Sequence, residues 1–500
     1  MGFDLGTYRA DAERFIEELD REYYLHMAGH KPELEIEAIY AGHAGLFERE
    51  PVERLLAASR SGAGGDDARR RRYLAQFAFD AFLGQATKGL EVESARLEAE
   101  LEVEGPDGAV PFRQVPVEMA NEPDAGRRAE LERARDELLA EHLNPLYREG
   151  LERSHALCRE LGWDGYAAAY AELRGLDFEA VRAETQRFLE LTDPAYAGVL
   201  DPLLERAGLP RLGELGRADM PRFFRAAELD GPFDASRLVE SFSVTMAGLG
   251  IDLASQENVH LDVEARPTKS PRAFCSPARV PDEVYLVVAP VGGREDFAAL
   301  FHEGGHTEHY AGVDPALPFE FRHLGDNAVT ESFAFLFDQL TETPAWLKRR
   351  LGVGDPAEIV AHARASQLLM MRRYAAKLAY EIELHGPAPD LGTLDQRYAE
   401  LLGGATRVRW PAVAWLSDVD PGFYVVCYLR AWALEALWRR SLVERFGELW
   451  FEEPAAGEWL RSLWREGQRL GAEELAEREL GATLDFAALA DELVGDPATG

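Results

Sequence analysis

The segment from Asp296 to Tyr310 reads DFAALFHEGGHTEHY, with His302, Glu303, Gly304, Gly305, His306 and His309 in its second half. From Asp296 onward the residue pattern is helical as far as Leu493, broken near 314–318, 386–389 and 417–421. The segment is therefore expected to be a helix. On a helix, His302 and His306 share one face about one turn apart, so that two imidazole nitrogens can grip one tetrahedral Zn²⁺. Glu303, one step on, points to the side of the metal, where it reaches a water rather than the metal and can act as a general base for hydrolysis. Two consecutive glycines cost a helix roughly 1 kcal/mol each relative to alanine, and close approach of a substrate or a neighbouring backbone would account for them. His309 either supports the site or packs.

A third ligand is expected from Glu331, on the next helical segment, Asp326 to Phe337 (DNAVTESFAFLF). That segment is apolar on several sides, which predicts a buried helix, and a buried carboxylate needs a metal or an Arg partner. With His302 and His306 just upstream, metal is the expected partner. Two imidazoles and one carboxylate leave a coordination position open, the mark of a catalytic site, and suit one zinc per chain better than Mg²⁺ or Ca²⁺. Asp296 and Asp326 could each orient a ligand imidazole; helix capping is the expected role of both.

Upstream of this segment the character changes. His260–Glu264 and Glu283–Val288 (EVYLVV) are short β-type runs separated by RPTKSPRAFCSPARVP, whose prolines rule out a continuous helix. Elsewhere helical periodicity dominates, as in Asp11–His26, with boundaries expected at Asn144–Pro145, Asp193–Pro194 and Gly208–Pro210. Glu91–Leu101 fits strand or helix, Glu104–Phe112 has the Pro, Asp and Gly of a hairpin turn, and Arg60–Arg72 reads as a solvated loop entering a helix. The expected fold is mainly α, with a small β-sheet just ahead of the histidine helix.

The 500 residues, 46% hydrophobic and 29% charged, supply ample core and exclude disorder or a disulfide-stapled miniature. Lys and Arg number 54 against 89 Asp and Glu, a net charge of -35, which repels phosphate and anionic lipid and argues against nucleic-acid or membrane partners. No basic segment followed by an apolar stretch opens the chain, and nowhere do about 18 apolar residues run uncharged, so a cytoplasmic location is expected. Cys158, Cys275 and Cys427 have no metal-type pairing and read as reduced thiols.

These residues resemble the oligopeptidase family of thimet oligopeptidase, neurolysin and oligoendopeptidase F. The family's H-E-x-G-H-x-x-H is met by His302, Glu303, Gly305, His306 and His309, and its zinc-binding Glu by Glu331. Its R-P-x-K followed by A-F-C is met by Arg266, Pro267 and Lys269, then Ala273, Phe274 and Cys275. Phe423–Tyr428 (FYVVCY) looks like its carboxy-terminal tyrosine helix, although Gly422 stands where the family has a His. The matches span Arg266 to Tyr428, about a third of the chain. The resemblance implies a zinc endopeptidase cleaving short peptides in a deep cleft, with residues 1–240 as one helical wall and 241–500 as the catalytic region. It further implies that Val284, Tyr285 and Leu286 lie on an edge strand that pairs with substrate. Tyr424 and Tyr428, sharing a helical face, would steady the oxyanion or else pack in an aromatic core with Trp432. Two alternatives accompany this reading: a dipeptide-releasing zinc carboxypeptidase, with Arg430 or Lys269 anchoring the free carboxylate, and a noncatalytic helical binding protein.

Overall fold

Helices dominate, as the turn-like apolar spacing predicts, and among the described residues the β-strands lie in two small sheets. A computed structural model describes residues 3–61, 64–105 and 108–495. Glu91–Leu101, ambiguous in sequence, is helical as far as Glu100, the end of the long helix Asp66–Glu100. It leads into the expected hairpin, β1 (Glu102–Gly105) paired antiparallel with β2 (Gly108–Pro111); the turn residues 106 and 107 lie outside the described residues. Arg60–Arg72 is, as expected, a loop entering a helix: one helix ends at Arg60 and the next starts at Asp66, with residues 62 and 63 outside the described residues. Arg69 and Arg70 are already helical and pair with Glu474 at 2.8 Å and Glu320 at 3.4 Å.

One of the three proline boundaries falls as expected, the helix that ends at Arg206 just before Gly208; at Asn144–Pro145 the chain stays helical, with Ala125–Leu138 passing through a π-turn, Leu139–Leu143, into Asn144–Glu160. Asp193–Pro194 does not break the chain. The helix Phe178–Arg206 runs through it, and Arg372 binds Leu189 O, Thr192 Oγ1 and Asp193 Oδ1 in the turn ahead of Pro194.

The chain divides into two compact units. The first gathers Met1–Phe82, Ala227–Val360 and Arg430–Leu484, the second Leu83–Ala226, Ala361–Leu429 and Asp485–Gly500. This division differs from a single break near residue 240, since each unit is assembled from three separated stretches. The second unit is built on aromatic packing, with Tyr380, Tyr398 and Trp415 in one core cluster. The hairpin contributes Val103 to another.

The first unit holds a three-stranded sheet, β3 (Val259–Asp262), β4 (Phe274–Arg279) and β5 (Glu283–Val287), in the order β3-β5-β4. β3 runs parallel and β4 antiparallel to the central β5. The amino-terminal helix Leu5–Met27 lies on this sheet, where Tyr24 stacks on Tyr285 with ring centroids 3.6 Å apart. Also packed on it is the motif helix, Arg294–Ala311, beside the helix Asn327–Leu340. Phe301 and Phe333 of the pair meet Phe242, Trp346 and Trp438 from outside it in edge-on and stacked contacts. Among the described residues no helix is long and apolar enough to cross a membrane.

Candidate metal centre

The two glycines of the motif explain how its helix meets the next one. A Cβ on Gly305 would lie 2.6 Å from Phe333 O and 2.7 Å from Ala334 Cα, and one on Gly304 2.4 Å from the Phe242 ring. Backbone therefore meets backbone, and the close approach is that of a neighbouring helix. As expected from its apolar composition, Asn327–Leu340 is buried along Ala328 to Phe337. Glu331 is carried on its inner face against the histidines.

His302, His306 and Glu331 each offer one ligand atom within 4.8 Å of the others. Glu331 Oε2 is 3.5 Å from His302 Nε2 and 3.6 Å from His306 Nε2. The far side of each ring is anchored: His302 Nδ1 donates to Asp338 Oδ2 at 2.8 Å, and His306 Nδ1 is hydrogen-bonded to Thr330 Oγ1 at 2.8 Å. Both Nε2 atoms are thus aimed at one point, the arrangement that fixes the tautomer of a metal-bound histidine. Asp338 and Thr330 escaped the sequence reading. Asp338 stands seven residues after Glu331, two helical turns along the same face, and that spacing was the available signal.

Electrostatics fit the same set. Burial alone would depress the His302 imidazole, but the Asp338 and Glu331 carboxylates outweigh it and hold the group up to about 10. His306, facing burial with less help from carboxylates, is pushed down to about 4. Burial lifts Asp338 to about 7 against the pull of His302. Two imidazole nitrogens and a carboxylate oxygen within 4.8 Å of one another are a donor set that could hold a metal ion, and its chemistry suits zinc.

Glu303 stands beside this cluster. Its Oε2 accepts the Cys275 backbone N–H at 2.9 Å, and burial raises its carboxyl above the usual range. The contact binds the motif helix to β4. It also corrects the expected location of the substrate strand. Val284, Tyr285 and Leu286 are on β5, which is central and paired on both sides, so their peptide groups are not open to another chain. The outer side of β4 lies next to Glu303 instead.

The other candidates have surroundings of their own. His309 is fully buried, its Nε2 3.4 Å from Gly467 O and its ring beside Phe333 and Tyr310, where burial holds it neutral; it belongs to the packing. Asp326 caps Asn327–Leu340 through Ala328 N, as expected, whereas Asp296 accepts from Val291 N and Gly292 N and ties down the preceding loop. Arg430 is committed to Asp326 and Glu473, and Lys269 Nζ to Asp262 O, Asp262 Oδ1 and Glu264 O. Neither cation is available to a free carboxylate. Tyr424 and Tyr428 fall in the second unit, edge-on to each other at 5.0 Å, with Tyr374 against Tyr428. Cys158 and Cys427 are buried and Cys275 is half-buried; all three are free thiols.

No family model matches the chain, and no curated protein matches it.

Proposed function

We propose that the chain is a zinc-dependent peptidase that hydrolyses internal bonds of short peptides. The observation that carries this reading is the convergence of His302 Nε2, His306 Nε2 and Glu331 Oε2 on one point, with Glu303 beside them and bound to β4. His302, His306 and Glu331 would hold the metal, which when bound supplies Lewis acidity, polarising a carbonyl and making water a stronger acid. Asp338 and Thr330 keep the imidazoles in place. A peptide laid in extended form along the outer side of β4 gains backbone hydrogen bonds independent of its sequence and comes to rest beside Glu303.

Glu303, raised by burial, takes a proton from the attacking water and returns it to the nitrogen of the breaking bond, so that an acid and an amine are released. The Cys275 N–H steadies the oxygen that does not carry the proton. With Lys269 and Arg430 engaged in ion pairs within the fold, support is weaker for dipeptide release than for internal cleavage. Metal analysis of zinc-reconstituted protein should give about one equivalent per chain, and a mixed peptide library read by mass spectrometry should show internal cuts. Absence of stoichiometric zinc, or equal zinc retention by Glu331→Ala, would overturn the reading.

A further inference from the structure

Among the described residues β4 pairs with β5 alone, and its other side carries few backbone groups free to pair. In an antiparallel pair, residues alternate between those that exchange both backbone hydrogen bonds with the neighbour and those that turn both groups away. Cys275 is of the second kind, because its N–H donates to Glu303 Oε2 at 2.9 Å rather than to β5. Its C=O therefore faces the outer side, and by the same alternation so do the N–H and C=O of Ala273. Prolines close the run at both ends. Pro277 has no N–H and lies where a bulge disturbs the register between Ser276 and Arg279. Pro271 has no N–H either, and Ser270 and Arg272 beside it are tied to each other: Ser270 Oγ accepts Arg272 N–H at 3.3 Å and donates to Arg272 O at 3.2 Å.

The outer edge thus offers two acceptors, Ala273 O and Cys275 O, and one donor, Ala273 N–H, since the Cys275 N–H is held by Glu303. Under the peptidase reading, on which this inference rests, an extended peptide lies along this edge. It satisfies both acceptors only if two of its residues, separated by one, each bring an N–H, and this holds whether the peptide runs parallel or antiparallel to β4. We infer that β4 is a specificity element that selects on the peptide's backbone: proline and N-methylated residues are rejected at two positions and accepted at the one between them. That intervening residue turns its N–H away from β4. A C=O covered by the peptide and left without a donor is what makes the rejection strong.

The test uses the zinc-loaded full chain carrying Glu303→Gln, whose amide oxygen still accepts the Cys275 N–H, so that binding is read without turnover. One octapeptide that it binds is N-methylated at one residue at a time. Calorimetry should give two positions, separated by one, at which binding weakens roughly ten- to a hundredfold, with the other positions within about threefold. Proline at those two positions should weaken binding to the same degree. Hydrogen exchange reads the protein's side of the contact: the Ala273 amide should slow when peptide is added, while the Cys275 amide is protected with and without it. A flat series, an equal loss at every position, or an Ala273 amide that the peptide leaves unchanged overturns the inference, and hydrolysis of the unmodified peptide by the parent then leaves the peptidase reading intact. A parent that cleaves no peptide, with the two-position pattern present in binding, overturns the peptidase reading and supports β4 as a peptide-binding edge. Absence of binding by every peptide of a mixed library overturns both.

Discussion

Glu303 and Glu331 are both buried carboxylates, but their neighbours give them different work. Glu331 faces two imidazole nitrogens, whereas Glu303 faces a peptide N–H. Glu303→Gln should accordingly keep zinc while losing most hydrolysis, since the amide retains the shape but accepts no proton. Activity within a few fold of the parent would remove Glu303 as the base. Asp338 works one layer further out. Asp338→Asn should weaken zinc binding by roughly 10–100-fold, the usual effect of losing a carboxylate behind a ligand histidine, with the fold retained. A competition titration against a chelator reads this directly, and an unchanged affinity would reduce Asp338 to a helix-surface acid. Glu331 was legible because a carboxylate inside an apolar helix stands out. Asp338 was missed because its spacing from Glu331 gives the shared face, whereas its partner His302 comes from another helix.

At the scale of elements, the site depends on how closely two helices approach. In an isolated helix Gly305→Ala would be stabilising by about 1 kcal/mol. Here the added methyl meets the backbone at Phe333 and Ala334, and overpacking of this kind costs roughly 1–3 kcal/mol. The variant should unfold at lower temperature and bind zinc more weakly, because separating the helices carries Glu331 away from the imidazoles. A raised melting temperature with normal zinc affinity would show that the contact can relax. The sheet carries a comparable lesson. Both β-runs were evident from their prolines and apolar alternation, but their order was not, and that order moved the proposed substrate edge from β5 to β4. Gly422 is another local fact with a nonlocal cause. Its φ is 62° and a Cβ there would lie 2.9 Å from Tyr170 Cε1, so a His in this position would be strained as well as crowded.

At the scale of the whole molecule, each of the two units holds a group on which stability depends. In the second, His155 Nε2 and His385 Nδ1 are hydrogen-bonded at 2.9 Å, with Tyr166 stacked on His385. Burial pushes His155 down to about 4 and His385 well below its ordinary range. The folded pair thus resists protons that the unfolded chain accepts near 6.5, so the unfolded state binds more protons between those limits and stability falls as pH drops from about 6.5 toward 4. Above that window the pair adds no slope. Replacing both with Gln should flatten the slope of melting temperature against pH in this range; an unchanged slope would assign acid sensitivity to other groups. Zinc bound in the first unit, as proposed, would stabilise the folded form by mass action, so a chelator should lower the melting temperature of the zinc-loaded protein, and Glu331→Ala should abolish the difference. What the sequence by itself determined is local: the helical period, the prolines that interrupt it, and the His302–His306 spacing that any helix turns into one face. Only the tertiary structure decided which distant groups meet that face. Glu331, Asp338 and Thr330 reach it through a helix crossing permitted by Gly305, and Cys275 reaches Glu303 through the strand order. Such contacts are selected by packing between segments far apart in the chain, and no local pattern encodes them.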